Sequence, residues 1–267
     1  MENQLGMTRT TQPPVRLLSY YVGNVQGVGA RERQEDSFAI GNAFDVKKMR
    51  DQGLLFAVCD GMGGMKDGKI ASETAVTCIR NYFQNLNVSE DIAEQLRSYM
   101  LHASEQIEDI LEGQGGSTAV VGVLYNEGLS FVSVGDSFLY LKRGSNLYRL
   151  NQEHTMCQQI FLECIRSGDI NPETGRNDPE TVALTQFLGM TGFNEIDGTV
   201  RPIPVMEGDV LFACSDGIGG TLDEREIFMA LSRNDVHEMC SYIEKNVLAH
   251  GKPNQDNFTG VVVKCVK

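Results

Sequence analysis

The phrase "FAVCDGMGG" at 56–64 is written again as "FACSDGIGG" at 212–220. The copies align residue for residue, Phe56 with Phe212, Asp60 with Asp216 and Gly64 with Gly220. Each is an apolar run of strand length that ends on an aspartate and a glycine turn. A carboxylate at the end of a buried strand is costly unless it is paired or bound to a cation. Two carboxylates brought within ~4 Å repel by a few kcal/mol at an effective dielectric near ~20. Such a pair implies a bound cation or a shared proton. The chain therefore either duplicates a unit or delivers two carboxylates to one site from two strands.

The surrounding pattern favours antiparallel strands and paired helices. Runs rich in Val, Leu, Phe and Tyr at 54–60, 117–125, 129–136, 137–143, 146–150, 209–216 and 258–266 read as strands. The short connections "NEG" (126–128) and "GS" (144–145) make hairpins of their neighbours. Apolar residues recur at helical spacing over 69–86 and 90–112. Ser89 is the expected N-cap of the second helix and Gly113 its stop. Further helices fit about 153–167 and 224–248, the latter broken near Asn234. Strict alternation of strand and helix is missing, so the class is α+β.

At 267 residues and 41% hydrophobic content the chain can bury a large core. Residues 1–16 read as a polar tail and 17–267 as one domain. No apolar run is long enough to span a bilayer, and the first residues lack the apolar stretch of a signal peptide. With seven cysteines and no C-x-x-C pair, buried reduced thiols in a cytoplasmic protein are expected. The four histidines are scattered, which disfavours a nitrogen–sulfur metal site. A net charge of −13 argues against nucleic acid or an anionic membrane as the partner.

More acidic residues stand at strand edges: Glu35 and Asp36 before Phe38 and Ile40, Asp136 after one strand and Asp256 before another. Each alone reads as a turn residue. Together they make an all-oxygen donor set suited to Mg²⁺ or Mn²⁺. A competing reading is the phosphate loop suggested by Gly63, Gly68 and Lys69. It fails at the next position, where Ile70 replaces the hydroxyl that would ligate magnesium.

"RERQEDS", "FAVCDGMGG", "GGSTAVV", "SVGDS", "LFACSDGIGG" and "QDNFTGVVV" follow one another in the order and rough spacing of the metal-dependent serine/threonine protein phosphatases, the PPM class or type 2C. The resemblance runs from about Gly23 to Val266, and "LECIRSGDI" with "LTQFLG" makes it similar to the bacterial branch. It implies a sandwich of two antiparallel β-sheets flanked on each side by a helix pair. It also implies hydrolysis of phosphoserine and phosphothreonine by water activated at two Mn²⁺ or Mg²⁺ ions. By the same resemblance Asp60 bridges the ions and the Gly61 carbonyl is a ligand. Asp216 and Asp256 complete one shell, and Glu35 and Asp36 bind ion-held waters. Arg31 grips the substrate phosphate. Arg33 lies close enough to compete for that role, against a reading as a solvated surface residue.

Two departures stand out. Some family members carry a histidine, a candidate leaving-group acid, where this chain has Met62. Bacterial relatives often bind a third ion through an aspartate just before "GGST", and here Gln114 takes that place. A weaker third ion would rest on Asp136 and Asp216. The polar stretch at about 166–190 is expected to be a flap over the site. The implied partners are phosphoprotein substrates of a serine/threonine kinase, met by a monomer. The alternative is a catalytically inactive relative that binds phosphoproteins, whose signature would be loss of the metal aspartates.

Overall fold

A computed structural model describes residues 18–62, 67–168 and 179–267. The chain opens with β1 (Ser19–Gly27), β2 (Ser37–Gly41), a short α1 (Val46–Gln52) and β3 (Leu54–Cys59). A helix pair follows, α2 (Gly68–Phe83) and α3 (Ile92–Leu111). Then come β4 (Ala119–Tyr125), β5 (Gly128–Val134), β6 (Phe138–Arg143), β7 (Asn146–Arg149) and α4 (Met156–Ser167). The two-residue strands β8 (Asp197–Gly198) and β9 (Ile203–Pro204) precede β10 (Val210–Cys214). The chain closes with α5 (Asp216–Gly219), α6 (Glu224–Leu231), α7 (Val236–Ala249) and β11 (Phe258–Val266).

One sheet has the order β1-β11-β10-β6-β7 and the other β2-β3-β4-β5-β8, with β9 also on β5. Every strand pairing described is antiparallel, which removes the parallel sheet that a phosphate-loop fold needs. Three apolar layers hold the stack together. Leu54, Phe56, Val58, Val120 and Leu211 fill the space between the sheets. Leu55, Ala57, Cys59 and Val121 pack with Ala75, Ile79, Met100 and Ile107 of α2 and α3. Phe212, Cys214 and Val262 pack with Ile227, Met239 and Ile243 of α6 and α7. The α-β-β-α sandwich expected from sequence is the observed fold. β3 and β10 read as unbroken apolar runs because each is buried on both faces.

The repeated phrases do not play the same part. Phe56 faces the opposite sheet, whereas Phe212 faces α6 and α7. Each needs a glycine on a neighbouring strand: a Cβ at Gly122 would stand 2.2 Å from the Phe56 ring, and one at Gly260 would stand 2.7 Å from the Phe212 ring. Copies related by duplication would keep the same face inward. These do not, which argues against duplication as the source of the repetition.

Some boundaries differ from expectation. The N-cap of α3 is Asp91, whose side chain accepts the Glu94 N–H. Ser89 instead sits in the preceding turn, donating its N–H to Asn87 Oδ1 at 3.1 Å. β1, β2 and α1 were not expected; β1 and β2 lie at sheet edges and α1 buries none of its residues. The tail at 1–16 lies outside the described residues, as does 169–178 of the expected flap. The end of that flap is pinned: Leu188 exchanges backbone hydrogen bonds with Ser117 at 2.9 and 3.0 Å, and the Gly189 N–H reaches Ser104 Oγ at 2.9 Å. Among the described residues no helix is long and apolar enough to cross a membrane.

Candidate metal centre

Antiparallel pairing decides where the acidic residues meet. Gly27, Phe258, Cys214 and Phe138 lie at one end of the first sheet by register. Ser37, Cys59, Ala119 and Val134 lie at one end of the second. Hydrogen bonds between loops bring those two ends together. Ser215 Oγ donates to Asp36 Oδ2 at 2.8 Å, and the Glu35 N–H donates to Asn257 Oδ1 at 2.7 Å. The loop before β2, the end of β3, the β5–β6 turn, α5 and the start of β11 thus surround one place. They carry Arg31, Glu35, Asp36, Asp60, Gly61, Asp136, Asp216 and Asp256, the residues given metal or phosphate roles by the resemblance.

The glycine after each repeated aspartate has a steric reason. A Cβ at Gly61 would lie 2.6 Å from the Glu35 carbonyl oxygen and 2.1 Å from that of Gly68. A Cβ at Gly217 would lie 1.8 Å from the Asn257 carbonyl oxygen. Only glycine lets these backbones approach so closely. Asp60 is held through its backbone: its N–H meets Thr118 Oγ1 at 3.2 Å, and its carbonyl accepts from the Thr118 N–H at 2.9 Å and Ser117 Oγ at 3.0 Å.

The carboxylates crowd one another. Burial first, and then the charges of Asp36 and Asp216, hold Asp60 well above the ordinary carboxylate range. Burial likewise raises Asp36, against the Ser215 hydroxyl that favours its charged form. Asp216 is raised by burial and by Asp256. Asp136 is pushed up to about 7 by burial and by Asp216. Asp36 is wholly buried, yet its Oδ1 has no hydrogen-bond partner among the described residues. Among those residues no three acidic, histidine or cysteine side chains form a closed ligand shell as they stand. One of the acids is held elsewhere, since Asp256 is paired with Arg31 at 2.7 Å. An all-oxygen donor set whose charges oppose one another, with a buried carboxylate oxygen to spare, fits a hard divalent cation.

Glu35 is placed by its backbone, with its carbonyl accepting from Ser72 Oγ at 2.5 Å. Arg33 is exposed and offers its carbonyl to Asn257 Nδ2 at 2.9 Å. Gln114 is exposed at the end of the α3 turn. The Met62 N–H donates to the Gly116 carbonyl at 3.1 Å. Cys59 and Cys214 adjoin the acidic turns, but burial raises both thiols far out of the range of a nucleophile. Sequence reasoning missed Ser215 and Asn257, and it weighed Lys69 only as part of a phosphate loop. Asn257 ties 28–35 to β11 through Val28 and Arg33 carbonyls and the Glu35 N–H. Lys69 Nζ donates to the Asp36 carbonyl at 3.1 Å. Ser215 and Asn257 sit inside quoted motifs, but only their burial in the structure marks them out.

A family model described as protein phosphatase 2C matches residues 20–159. The chain is 29% identical over 243 residues to the serine/threonine phosphatase stp of Listeria welshimeri, covering 88% of this chain and 91% of that protein. Among solved structures it resembles PppA, a key regulatory component of T6SS in Pseudomonas aeruginosa, with TM-score 0.74, 26% identity and coverage of 92% and 98%. It also shares the fold of the catalytic domain of serine threonine protein phosphatase PstP, a structure in complex with two manganese ions, with TM-score 0.75, 24% identity and coverage of 94% and 100%. With the matched model taking in the first acidic turn and its helix pair, and the fold shared over nearly the whole length, the chain belongs to the protein phosphatase 2C family of metal-dependent protein serine/threonine phosphatases.

Proposed function

We propose that this chain removes phosphate from phosphoserine and phosphothreonine in proteins, using water at two Mn²⁺ or Mg²⁺ ions. The observation that carries the reading is Asp36, wholly buried with one oxygen unpartnered, in a group of mutually opposed carboxylates. Asp60 and the Gly61 carbonyl would hold ions, with Asp216 and Asp256 on one side and Glu35 and Asp36 on the other. Asp136 with Asp216 would serve a weaker third ion. When bound, such a pair of cations lowers the pKa of water and offsets negative charge on a phosphoryl group.

The chain's own residues supply the remaining parts. Arg31 would turn from Asp256 to the phosphate oxygens, where a guanidinium fits two oxygens at once. Burial raises the Cys59 and Cys214 thiols far above their ordinary range, which argues against a thiolate nucleophile and is consistent with water. Met62 has no proton to give the leaving oxygen. The −13 charge supports protein substrates over nucleic acid. We take the working form to be a monomer acting on products of a serine/threonine kinase.

The test is phosphate release from a phosphothreonine peptide with Mn²⁺, with and without EDTA. Hydrolysis should be lost in chelator and restored by Mn²⁺ or Mg²⁺. Full activity in EDTA after dialysis would end the two-ion reading. Peptide binding without hydrolysis would favour the inactive relative.

A further inference from the structure

We infer that Ser215 is a positioning residue that fixes which oxygen of Asp36 is offered to the ions; the inference rests on the two-ion reading above. Asp36 and Ser215 are both wholly buried and come from opposite sheets. Ser215 Oγ has one proton, and of its two acceptors Asp36 Oδ2 at 2.8 Å is much nearer than the Thr259 carbonyl at 3.4 Å. The hydroxyl is itself oriented, because its oxygen accepts the Thr259 N–H at 3.0 Å. The Ser215 N–H in turn donates to the Thr259 carbonyl at 2.9 Å, so the serine is anchored to β11 by backbone and side chain together.

The main chain of Asp36 is equally restrained. Its N–H donates to Gln34 Oε1 at 2.9 Å, and its carbonyl accepts from Lys69 Nζ at 3.1 Å and Gln26 Nε2 at 3.4 Å. With backbone and Oδ2 held, Oδ1 is left without a hydrogen-bond donor in a pocket shared with the Asp60 carboxylate. A buried carboxylate with one oxygen bonded to a hydroxyl and one free is the arrangement that outer partners impose on ligands of a metal. Ser215 also precedes Asp216 in the chain, so one residue links the placement of Asp36 and Asp216. Nothing in the sequence marks it: the aligned residue in the first phrase is Cys59, which faces α2 and α3.

The experiment is calorimetric titration of Mn²⁺ into metal-stripped protein, which needs no turnover. Outer partners of metal ligands typically change affinity by about 10–100-fold when removed. Ser215→Ala should weaken Mn²⁺ binding to that extent and lower kcat at limiting Mn²⁺, with the KM for phosphopeptide unchanged. Ser215→Thr, which restores a hydroxyl, should recover binding. If Ser215→Ala does not fold, Ser215→Cys keeps the volume with a weaker donor and should show the same loss. In an Asp36→Asn background, removing the hydroxyl should add little further loss, since both changes act through one carboxylate. Parent-like Mn²⁺ affinity in a folded Ser215→Ala or Ser215→Cys protein would overturn the inference, as would a loss that adds in full to that of Asp36→Asn. A parent protein that binds neither Mn²⁺ nor Mg²⁺ would overturn the two-ion reading instead, and this inference with it.

Discussion

Arg31 and Asp256 hold each other at 2.7 Å, Nη2 to Oδ2. The pair joins the arginine proposed to grip phosphate with a carboxylate proposed to hold a metal ion. Their side chains are 48% and 40% exposed, so water screens the attraction and it contributes about 1 kcal/mol or less to folding. The two functions, however, compete for the same contact. Arg31→Ala should leave the unfolding midpoint nearly unchanged and tighten Mn²⁺ binding, because Asp256 is released. It should raise the KM for a phosphopeptide about 10-fold or more, the equivalent of one charge-assisted hydrogen bond of roughly 1.5–3 kcal/mol. Parallel titrations and kinetics check both directions, and an unchanged KM would remove Arg31 from the phosphate site.

Burial raises both Asp60 and Asp216; the charges of Asp36 and Asp216 add to the shift of Asp60, and that of Asp256 adds to the shift of Asp216. Asparagine keeps the shape of either side chain and removes its charge. Asp60→Asn and Asp216→Asn should each cost at least ~100-fold in kcat, on the order of 3 kcal/mol. The losses should not add, since both act through one centre. In chelator the variants should be at least as stable as the parent, because a source of repulsion is gone. Near-parental turnover of either variant with Mn²⁺ present would reduce the repeated phrases to turns.

The strands that position these acids were legible because burial on both faces leaves almost no polar residue in β3, β4, β10 and β11. The same burial hid their phase. In β3 the residues facing the other sheet are Leu54, Phe56 and Val58, and Asp60 continues that series. In β10 they are Leu211 and Ala213, which puts Ser215 inward and leaves Asp216 to the first turn of α5. Two aligned aspartates thus reach one place by different routes, and an apolar run gives no sign of which. β1 escaped notice because an edge strand carries exposed Ser19 and Tyr21 among its apolar residues. Asn257 escaped because its three loop contacts span more than 200 residues of sequence.

The second helix pair carries its own titratable element. Glu226 is lowered from its usual value, first by the Asp223 N–H at 3.0 Å and then by His250, whose Nε2 stands 3.0 Å from Oε1. A carboxylate lowered in the folded state favours folding once it is ionised in both states, above its unfolded pKa of about 4.3. That contribution is lost as pH falls through the lower folded value. Glu226→Gln should therefore be less stable than the parent at pH 7, and the gap should close on acidification below about pH 4. Urea midpoints across that range measure it. A gap that stays constant would place the loss in packing.

Gly217 sets how closely α5 approaches β11. An added Cβ would stand 1.8 Å from the Asn257 carbonyl oxygen, so the two backbones would have to part. Asp216 is one residue before that contact, and Asp256 is one residue before Asn257. Asn257 also holds the Glu35 N–H at 2.7 Å, so displacing it moves a third acid. Overpacking of this kind costs about 1–3 kcal/mol in stability. Gly144 supplies the control. It turns the β6–β7 hairpin at φ +57° with nothing within 4 Å of a new Cβ, so Gly144→Ala is destabilised by backbone strain alone, of about 1–2 kcal/mol. Both variants should lose a similar amount of stability. Only Gly217→Ala should also lose Mn²⁺ affinity, by about 10-fold or more, because only there do metal-ligand loops move apart. Equal Mn²⁺ affinity in the two variants would mean that the approach of α5 to β11 does not set the spacing of the carboxylates.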